Sequence, residues 1–124
     1  MKDNGTIRMS ATGATRDTST NKMEVVKYIS PLFIEAFGKY MLKHQIQSDG
    51  SKREGDNWKK GFGETYKETR NICFDSLGRH FLDLWKEQDG FKSRDGIYEA
   101  LGDIVFNTMA YWDALIKEEL NEKK

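Results

Sequence analysis

Apolar side chains recur at the spacing of an α-helix in three stretches of the chain. The first stretch contains Phe33, Ile34, Phe37, Tyr40 and Met41. Ser30 and Pro31 stand before it and suit a helix start, because serine caps the first turn and proline needs no hydrogen-bonded N–H there. The pattern therefore predicts a helix over residues 31–44.

The other two stretches predict longer helices over residues 63–87 and 96–120. The second carries Tyr66, Cys73, Phe74, Leu77, Phe81, Leu84 and Trp85. The third carries Ile97, Leu101, Ile104, Val105, Thr108, Trp112 and Leu115, with Phe106, Met109 and Tyr111 off this stripe. The middle of the third helix is thus apolar nearly all round, which indicates a central helix or one that faces a second subunit.

Polar segments surround and separate these helices. Residues 1–22 hold few bulky apolar side chains to offset the entropy of ordering, so we expect them to be flexible, or ordered by a ligand or partner. Residues 47–57 predict a loop, and residues 22–29 allow a short β-strand. The sequence therefore predicts an all-α fold: a compact bundle of about three main helices in one domain over residues 23–120, with a long irregular N-terminal segment and a tail of residues 121–124.

Composition narrows the classes of function. The 124 residues suit one domain, and 37% hydrophobic against 32% charged residues predicts a thin core and favours an oligomer. Twenty basic and twenty acidic residues give zero net charge, which argues against binding to duplex nucleic acid. Cys73 is the single cysteine, so no intrachain disulfide forms. With no apolar leader and no run of about 20 apolar residues, we expect a cytoplasmic protein without a membrane partner.

Two of the predicted helices carry polar residues at the spacing of one face. They are His80, Asp83 and Glu87 on the second helix and Glu99, Asp103 and Asn107 on the third. Because a short connection favours antiparallel packing, we expect these two polar faces to meet. Carboxylates around one site suit Mg²⁺ or Mn²⁺, which predicts Asp83, Glu99 and Asp103 as metal ligands.

An ordinary solvated helix face is the alternative interpretation of these acids. Glu99 also suits the first turn of a helix on electrostatic grounds alone, and His80 can be a hydrogen-bonded residue at the edge of the core. Asp103 favours the functional interpretation. Three apolar residues follow it in the most apolar part of the chain, where an unpaired carboxylate is costly.

Basic and aromatic residues supply groups that complement the acids. Lys60 precedes the turn 61–63 (GFG), whose N–H groups can receive an anion, and Arg70 and Arg79 lie on the second predicted helix. Trp58 could stack on a base. Each has a structural alternative: surface charge for Lys60, a buried pair with a carboxylate for Arg70, and core packing for Trp58.

No P-loop, dinucleotide-binding, zincin or paired-cysteine motif is present. Several stretches, in order, instead resemble the bacteriophage and prophage family described as dATP/dGTP diphosphohydrolase, N-terminal domain. They are residues 12–18 (TGATRDT) with Lys22, Ser30-Pro31, residues 56–61 (DNWKKG), Arg79-His80 and residues 83–85 (DLW). The resemblance spans about residues 11–112, and NW-x-K-G and RH-x-x-D are its most specific parts.

Residues 99–106 (EALGDIVF) also resemble the second acidic motif of the MazG-like all-α nucleoside triphosphate pyrophosphohydrolases. Those enzymes hold Mg²⁺ between carboxylates of two helices and split a nucleoside triphosphate into monophosphate and pyrophosphate. Ala100 stands where the motif usually carries a second acid, and the preceding helix offers His80 and Asp83 in place of paired glutamates. The resemblance implies nucleotide hydrolysis, while this departure keeps binding without turnover open.

Residues and resemblance together predict a phage-type, Mg²⁺-dependent (deoxy)nucleoside triphosphate pyrophosphohydrolase that forms a dimer or tetramer. Asp83, Glu99 and Asp103 would hold the metal, and His80 or Glu87 would orient the attacking water. Contacts to the nucleotide and its phosphates would come from Arg16, Lys22, Trp58, Lys60, Arg70, Arg79 and Asn107. The alternatives are a non-catalytic nucleotide-binding protein, such as a phage sponge for a host-defence nucleotide signal, and a structural or interaction protein.

Overall fold

The structure, a computed structural model, describes residues 7–9, 13, 15–17 and 23–122. The chain divides into two compact units, Met1–Ala36 and Phe37–Lys124. The fold is all-α, as the hydrophobic pattern predicts, since three long helices account for most of the described residues.

The first unit contains a short hairpin and the start of a helix. Strands β1 (Ile7–Met9) and β2 (Thr15–Asp17) pair antiparallel. Helix α1 (Val25–Tyr28) lies in the segment for which the sequence also allows a short strand. The β-branched pair Val25-Val26 suggested a strand, but one helical turn forms there instead. Most of residues 1–22, and with them the prediction of order induced by a partner, lie outside the described residues.

Helix α2 (Pro31–His44) has the bounds that its apolar stripe predicts. The hydroxyl of Ser30 accepts a hydrogen bond from the N–H of Phe33 at 3.3 Å, which confirms the predicted cap. The chain then turns tightly through residues 45–53, where Ile46 and Lys52 form an isolated β-bridge. A single-turn 3₁₀-helix (Asn57–Lys60) follows.

Helices α3 (Tyr66–Gln88) and α4 (Ile97–Glu122) lie within three residues of their predicted ends. Helix α3 begins at Tyr66 and not at residue 63, because Gly63 has φ +83° and Thr65 is extended. The Thr65 hydroxyl caps the helix by accepting from the N–H of Glu68 at 3.1 Å. The non-helical backbone before Tyr66 therefore determines where α3 begins, three residues later than the apolar pattern predicts.

Helices α3 and α4 pack antiparallel against each other. Arg70, near the start of α3, bonds Glu118 near the end of α4, while His80 and Asp103 meet midway. The buried apolar side chains in the described part of the chain are small: Cys73, Ala100, Ala110 and Ala114. Small residues let two helices approach closely, but they bury little apolar area, so the predicted thin core is confirmed.

Many large apolar side chains remain exposed along these two helices. We call one set the apolar face. Its exposed members are Phe74, Phe81 and Trp85 on α3 and Trp112 on α4, and its half-buried members are Leu77, Leu84, Tyr111 and Leu115. Phe74 is 67% exposed and Trp112 is 65% exposed. Among the described residues, no helix combines the length and the apolar composition needed to cross a membrane.

Helix α2 contacts α4 where the ring of Tyr40 lies on Gly102. Gly102 is buried, and a Cβ atom added there would overlap the Tyr40 ring. Replacing Gly102 with alanine is therefore expected to lower the free energy of unfolding by about 1–3 kcal/mol, since the ring must move out of its place. The measurement is denaturant unfolding followed by circular dichroism.

Gly38 provides the control for this substitution. It lies in α2 two residues before Tyr40, and a Cβ atom there would meet nothing within 4 Å. Gly38→Ala is expected to raise stability by roughly 0.5–1 kcal/mol, the ordinary gain of alanine over glycine in a helix. Equal gains in both variants would contradict the tight contact between Tyr40 and Gly102.

Candidate functional site

Helices α2 and α4 bring an imidazole and two carboxylates together. One ligand atom each from His44, Glu99 and Asp103 lies within 4.8 Å of the others. His44 comes from the last turn of α2, and the two acids lie one turn apart on α4. We call these three residues the His44–Glu99–Asp103 cluster.

Hydrogen bonds from α2 hold both carboxylates. The hydroxyl of Tyr40 donates to Asp103, and the imidazole of His44 bonds Glu99. Lys43 Nζ reaches the second oxygen of Glu99 at 3.2 Å. The rings of Tyr40 and His44 lie 4.4 Å apart, one helical turn from each other, so one face of α2 covers both acids.

These contacts change the protonation equilibria of two groups. Burial, and then the hydrogen bond to Asp103, raise the pKa of Tyr40 well above its ordinary value, so its hydroxyl remains a donor. Burial acts to raise the pKa of Glu99 as well. Hydrogen bonds from His44 and Lys43 outweigh that effect and hold the pKa of Glu99 below its ordinary value. Glu99 is therefore a carboxylate at neutral pH.

His80 approaches the cluster from α3. Its Nδ1 atom lies 3.1 Å from Asp103 Oδ2 and 3.8 Å from Asp83 Oδ2. The atom is enclosed, and neither oxygen is aligned to form a hydrogen bond with it. The predicted meeting of the polar faces of α3 and α4 is thus seen at His80 and Asp103.

Asp83, by contrast, is not part of the cluster. Its side chain is buried, and the guanidinium of Arg94 in the α3–α4 connection donates to Asp83 Oδ2 at 3.0 Å. This ion pair satisfies the carboxylate that was predicted to be a third metal ligand. Glu87, one turn further along α3, faces the N–H of Ser93 in the same connection at 3.5 Å.

The remaining predicted contacts are mostly engaged elsewhere. Arg70 donates twice to Glu118 Oε2, at 3.0 and 2.7 Å. This pair with a carboxylate is the structural alternative to a phosphate contact that the sequence allows for Arg70. Arg79 bonds Ser76, and the amide of Asn107 donates to the backbone carbonyl of Asp103. Lys60 is exposed at the end of the 3₁₀-helix. None of these four residues belongs to the His44–Glu99–Asp103 cluster.

Two predicted phosphate contacts belong to the N-terminal unit. Arg16 lies in β2, where its backbone is in register with Arg8. The side chain of Arg16 and the whole of Lys22 fall outside the described residues. Their predicted contacts to phosphate stay predictions.

Sequence reasoning missed Tyr40 and His44 as site residues. Tyr40 belongs to the apolar stripe of α2, and His44 is the last residue of that helix, where nothing in the sequence marks it as a site residue. The available signal was their spacing of four residues, which puts a hydroxyl and an imidazole on one face. Which acids they would face depends on the packing of α2 against α4, and periodicity does not encode that.

A cavity of about 170 Å³ adjoins the cluster. Its apolar walls include Trp58, Phe62 and Phe106, and the ring of Phe106 meets each of the other two edge-on at 6.2 Å. Tyr40 and His44 line the cavity and also contact the cluster acids. The site thus places a histidine and two carboxylates beside an aromatic pocket.

The donor set fits a divalent cation. Carboxylate oxygens suit Mg²⁺ and Mn²⁺, and an imidazole nitrogen suits Mn²⁺ better than Mg²⁺. The chain matches no protein-family model, no curated protein and no solved structure. The geometry of the site is therefore the basis for any functional assignment.

The hydrogen bond from Tyr40 to Asp103 is expected to stabilise the fold up to high pH. The raised pKa of Tyr40 means that folding favours the neutral phenol. Its contribution is complete below pH ~10, the ordinary pKa of tyrosine, and declines as pH rises above that value. Tyr40→Phe should cost about 1.5–3 kcal/mol at pH 7, since the bond is to a charged group, and less above pH ~10.

Denaturant unfolding of the wild-type protein and of Tyr40→Phe from pH 7 to 11 measures this difference in the free energy of unfolding. Tyr98→Phe is the control, because Tyr98 is 82% exposed and its loss should change stability by less than ~0.5 kcal/mol. If Tyr40→Phe and Tyr98→Phe unfold alike at pH 7, the hydroxyl of Tyr40 does not hold Asp103.

Proposed function

We propose that this chain is a Mg²⁺-dependent (deoxy)nucleoside triphosphate pyrophosphohydrolase of the phage type. One observation carries the proposal: a histidine and two carboxylates within 4.8 Å of one another adjoin an aromatic cavity. The reaction needs a cation to bind the phosphates and a pocket to bind the nucleoside. The cluster and the cavity offer both, side by side.

Glu99 and Asp103 would hold the cation, with His44 as a third ligand. A bound divalent cation would polarise a phosphate group and lower the pKa of a bound water. Tyr40 holds one oxygen of Asp103, and His80 lies beside the other. Tyr40 is therefore a positioning residue that fixes the direction in which Asp103 presents its carboxylate. Asp83 would not join these ligands, because its carboxylate pairs with Arg94.

Cationic side chains near the cluster would neutralise the phosphates. Lys43 is 70% exposed and already contacts Glu99, so it can turn toward an anion at low cost. Arg53 borders the cavity, and Lys60 is exposed two residues after Trp58 in the 3₁₀-helix. Arg70 is less suited, because its guanidinium is engaged by Glu118.

Removal of either carboxylate tests the proposed reaction. Purified protein is incubated with a mixture of dNTPs and NTPs, with and without Mg²⁺ or Mn²⁺, and the products are separated by mass-resolved chromatography. Monophosphate and pyrophosphate should appear only with metal. Glu99→Gln and Asp103→Asn are each expected to lower kcat by about 100-fold or more, because each removes a charge that holds the cation.

Glu119→Gln is the matched control on the same helix. Glu119 is exposed and forms no ion pair within the described part of the chain, so its loss should leave kcat unchanged. Failure of the wild-type protein to release pyrophosphate from any nucleotide with either metal would refute the proposed reaction.

A non-catalytic nucleotide-binding protein is the second candidate. Asp83 is paired with Arg94, and Ala100 is 2% exposed at the position where an acid is usual, so the cluster holds two carboxylates and not four. Fewer carboxylates bind Mg²⁺ more weakly. Recovery of an intact nucleotide on the protein after filtration, with no metal required, would favour this candidate.

The apolar face supports the proposal of a homo-oligomer, with a second copy of the chain as its occupant. Phe74, Phe81, Trp85 and Trp112 are between 57% and 67% exposed. With about 150–250 Å² per aromatic side chain, these four alone expose roughly 500 Å². The neighbouring leucines extend the face toward the ~800 Å² that each partner buries in a stable interface.

Charges placed on the apolar face are expected to dissociate the oligomer. The double substitution Phe81→Glu and Trp85→Glu should convert it to a monomer in light scattering after size exclusion, because the glutamates would be buried unpaired. Lys86→Glu, on the exposed opposite side of α3, should leave the mass unchanged. A monomeric wild-type protein would contradict the proposed interface.

A further inference from the structure

The cavity beside the cluster has aromatic walls and a polar rim. We infer that it binds the nucleobase of the substrate and that the side-chain amides of Gln45 and Asn57 read the edge of the base. This inference rests on the proposed function, since it assigns the part of that site which determines base preference.

The walls suit a flat heteroaromatic ring. Trp58 and Phe62 both pack edge-on against Phe106, and Met41 adds a polarizable thioether. Aromatic and sulfur-bearing walls favour a planar π-system over an aliphatic chain or a hydrated ion. All four side chains are partly buried, so a ring inserted among them would lose most of its contact with water.

Hydrogen bonds to the backbone hold the segments that carry Phe62 and Gln45. The hydroxyl of buried Thr69 both accepts from the N–H of Phe62 at 2.9 Å and donates to its carbonyl at 2.6 Å. On the other side, the N–H of Arg53 donates to the carbonyl of Gln45 at 2.7 Å, which holds the two ends of the 45–53 turn together. The cavity is therefore formed before any ligand binds, which lowers the entropic cost of binding.

Two amides on the rim lack protein partners. Gln45 and Asn57 are both partly buried, and across residues 23–122 neither side-chain amide forms a hydrogen bond. An amide offers a donor and an acceptor side by side, which matches the donor and acceptor pairs on base edges. Neither amide is among the enclosed side-chain atoms that lack a partner in the described residues, so both are open to water. A base edge in the cavity can take the place of that water.

The cavity and the cluster share a wall. Tyr40 and His44, one helical turn apart on α2, line the cavity and bond Asp103 and Glu99 respectively. A base in the cavity would therefore lie on one side of these two side chains, with the cluster acids that they bond on the other side. The same wall that encloses the ring orients the metal ligands.

Substitution of the rim amides tests the inference. Binding is measured by calorimetry for the four dNTPs and for inorganic tripolyphosphate, each with Ca²⁺ in place of Mg²⁺ so that the dNTP is bound without being hydrolysed. Wild-type protein should bind at least one dNTP about 10-fold more tightly than tripolyphosphate. Gln45→Ala and Asn57→Ala should each weaken that dNTP about 10-fold, reduce discrimination among bases, and leave tripolyphosphate binding unchanged.

Gln47→Ala is the matched control. Gln47 lies two residues from Gln45, its amide bonds Ser51, and it does not line the cavity, so its loss should not alter base discrimination. Gln45→Glu keeps nearly the same side-chain shape but removes the amide, so it should fold normally. A loss of base preference in this variant therefore reflects the lost amide and not a lost fold. Circular dichroism of each variant checks the fold.

The outcomes separate this inference from the proposed reaction. Equal binding of tripolyphosphate and all dNTPs, or unchanged discrimination in both alanine variants, overturns the nucleobase cavity while hydrolysis can stand. Amide-dependent binding of a dNTP that is never hydrolysed refutes the reaction and supports the cavity. Absence of any nucleotide binding overturns both.

Discussion

The contact of Tyr40 with Asp103 and Gly102 is the constraint on which the site depends. The Tyr40 ring lies against the buried glycine while its hydroxyl donates to the carboxylate one residue further along α4. One side chain thus places α2 on α4 and orients a charged group at the same time. His44 lies one turn later on the same face of α2 and bonds Glu99. The cluster is a consequence of helix packing, and its geometry is held by hydrogen bonds.

The three main helices could be predicted from the sequence because apolar periodicity, a serine–proline start and glycine-rich turns act locally. The site could be predicted only in part. Asp103 and His80 do meet, since antiparallel packing of α3 and α4 follows from a short connection. Asp83 does not join them, because Arg94 lies in that connection and pairs with it. His44 and Tyr40 were missed, since the pairing of helices distant in sequence depends on tertiary contacts that no local pattern specifies.

The distribution of charge suggests how one surface can serve both stability and binding. Glu99 is compensated by two cationic or ionisable groups from α2, whereas Asp103 is held by a neutral hydroxyl and lies beside an imidazole. Both carboxylates are thus oriented without being fully neutralised by an arginine, unlike Asp83. The two cluster carboxylates are therefore held by groups from α2, and Asp83 by an arginine of the α3–α4 connection.

The contact between Gly102 and Tyr40 limits which substitutions the two positions can accept during evolution. Any side chain at position 102 needs space that the Tyr40 ring occupies, and any smaller residue at position 40 loses the hydroxyl that orients Asp103. Neither position can drift alone without harm to the other. In descendants of this chain the two residues should therefore be inherited together, as glycine with tyrosine, or be replaced together by a pair that rebuilds the contact in another way.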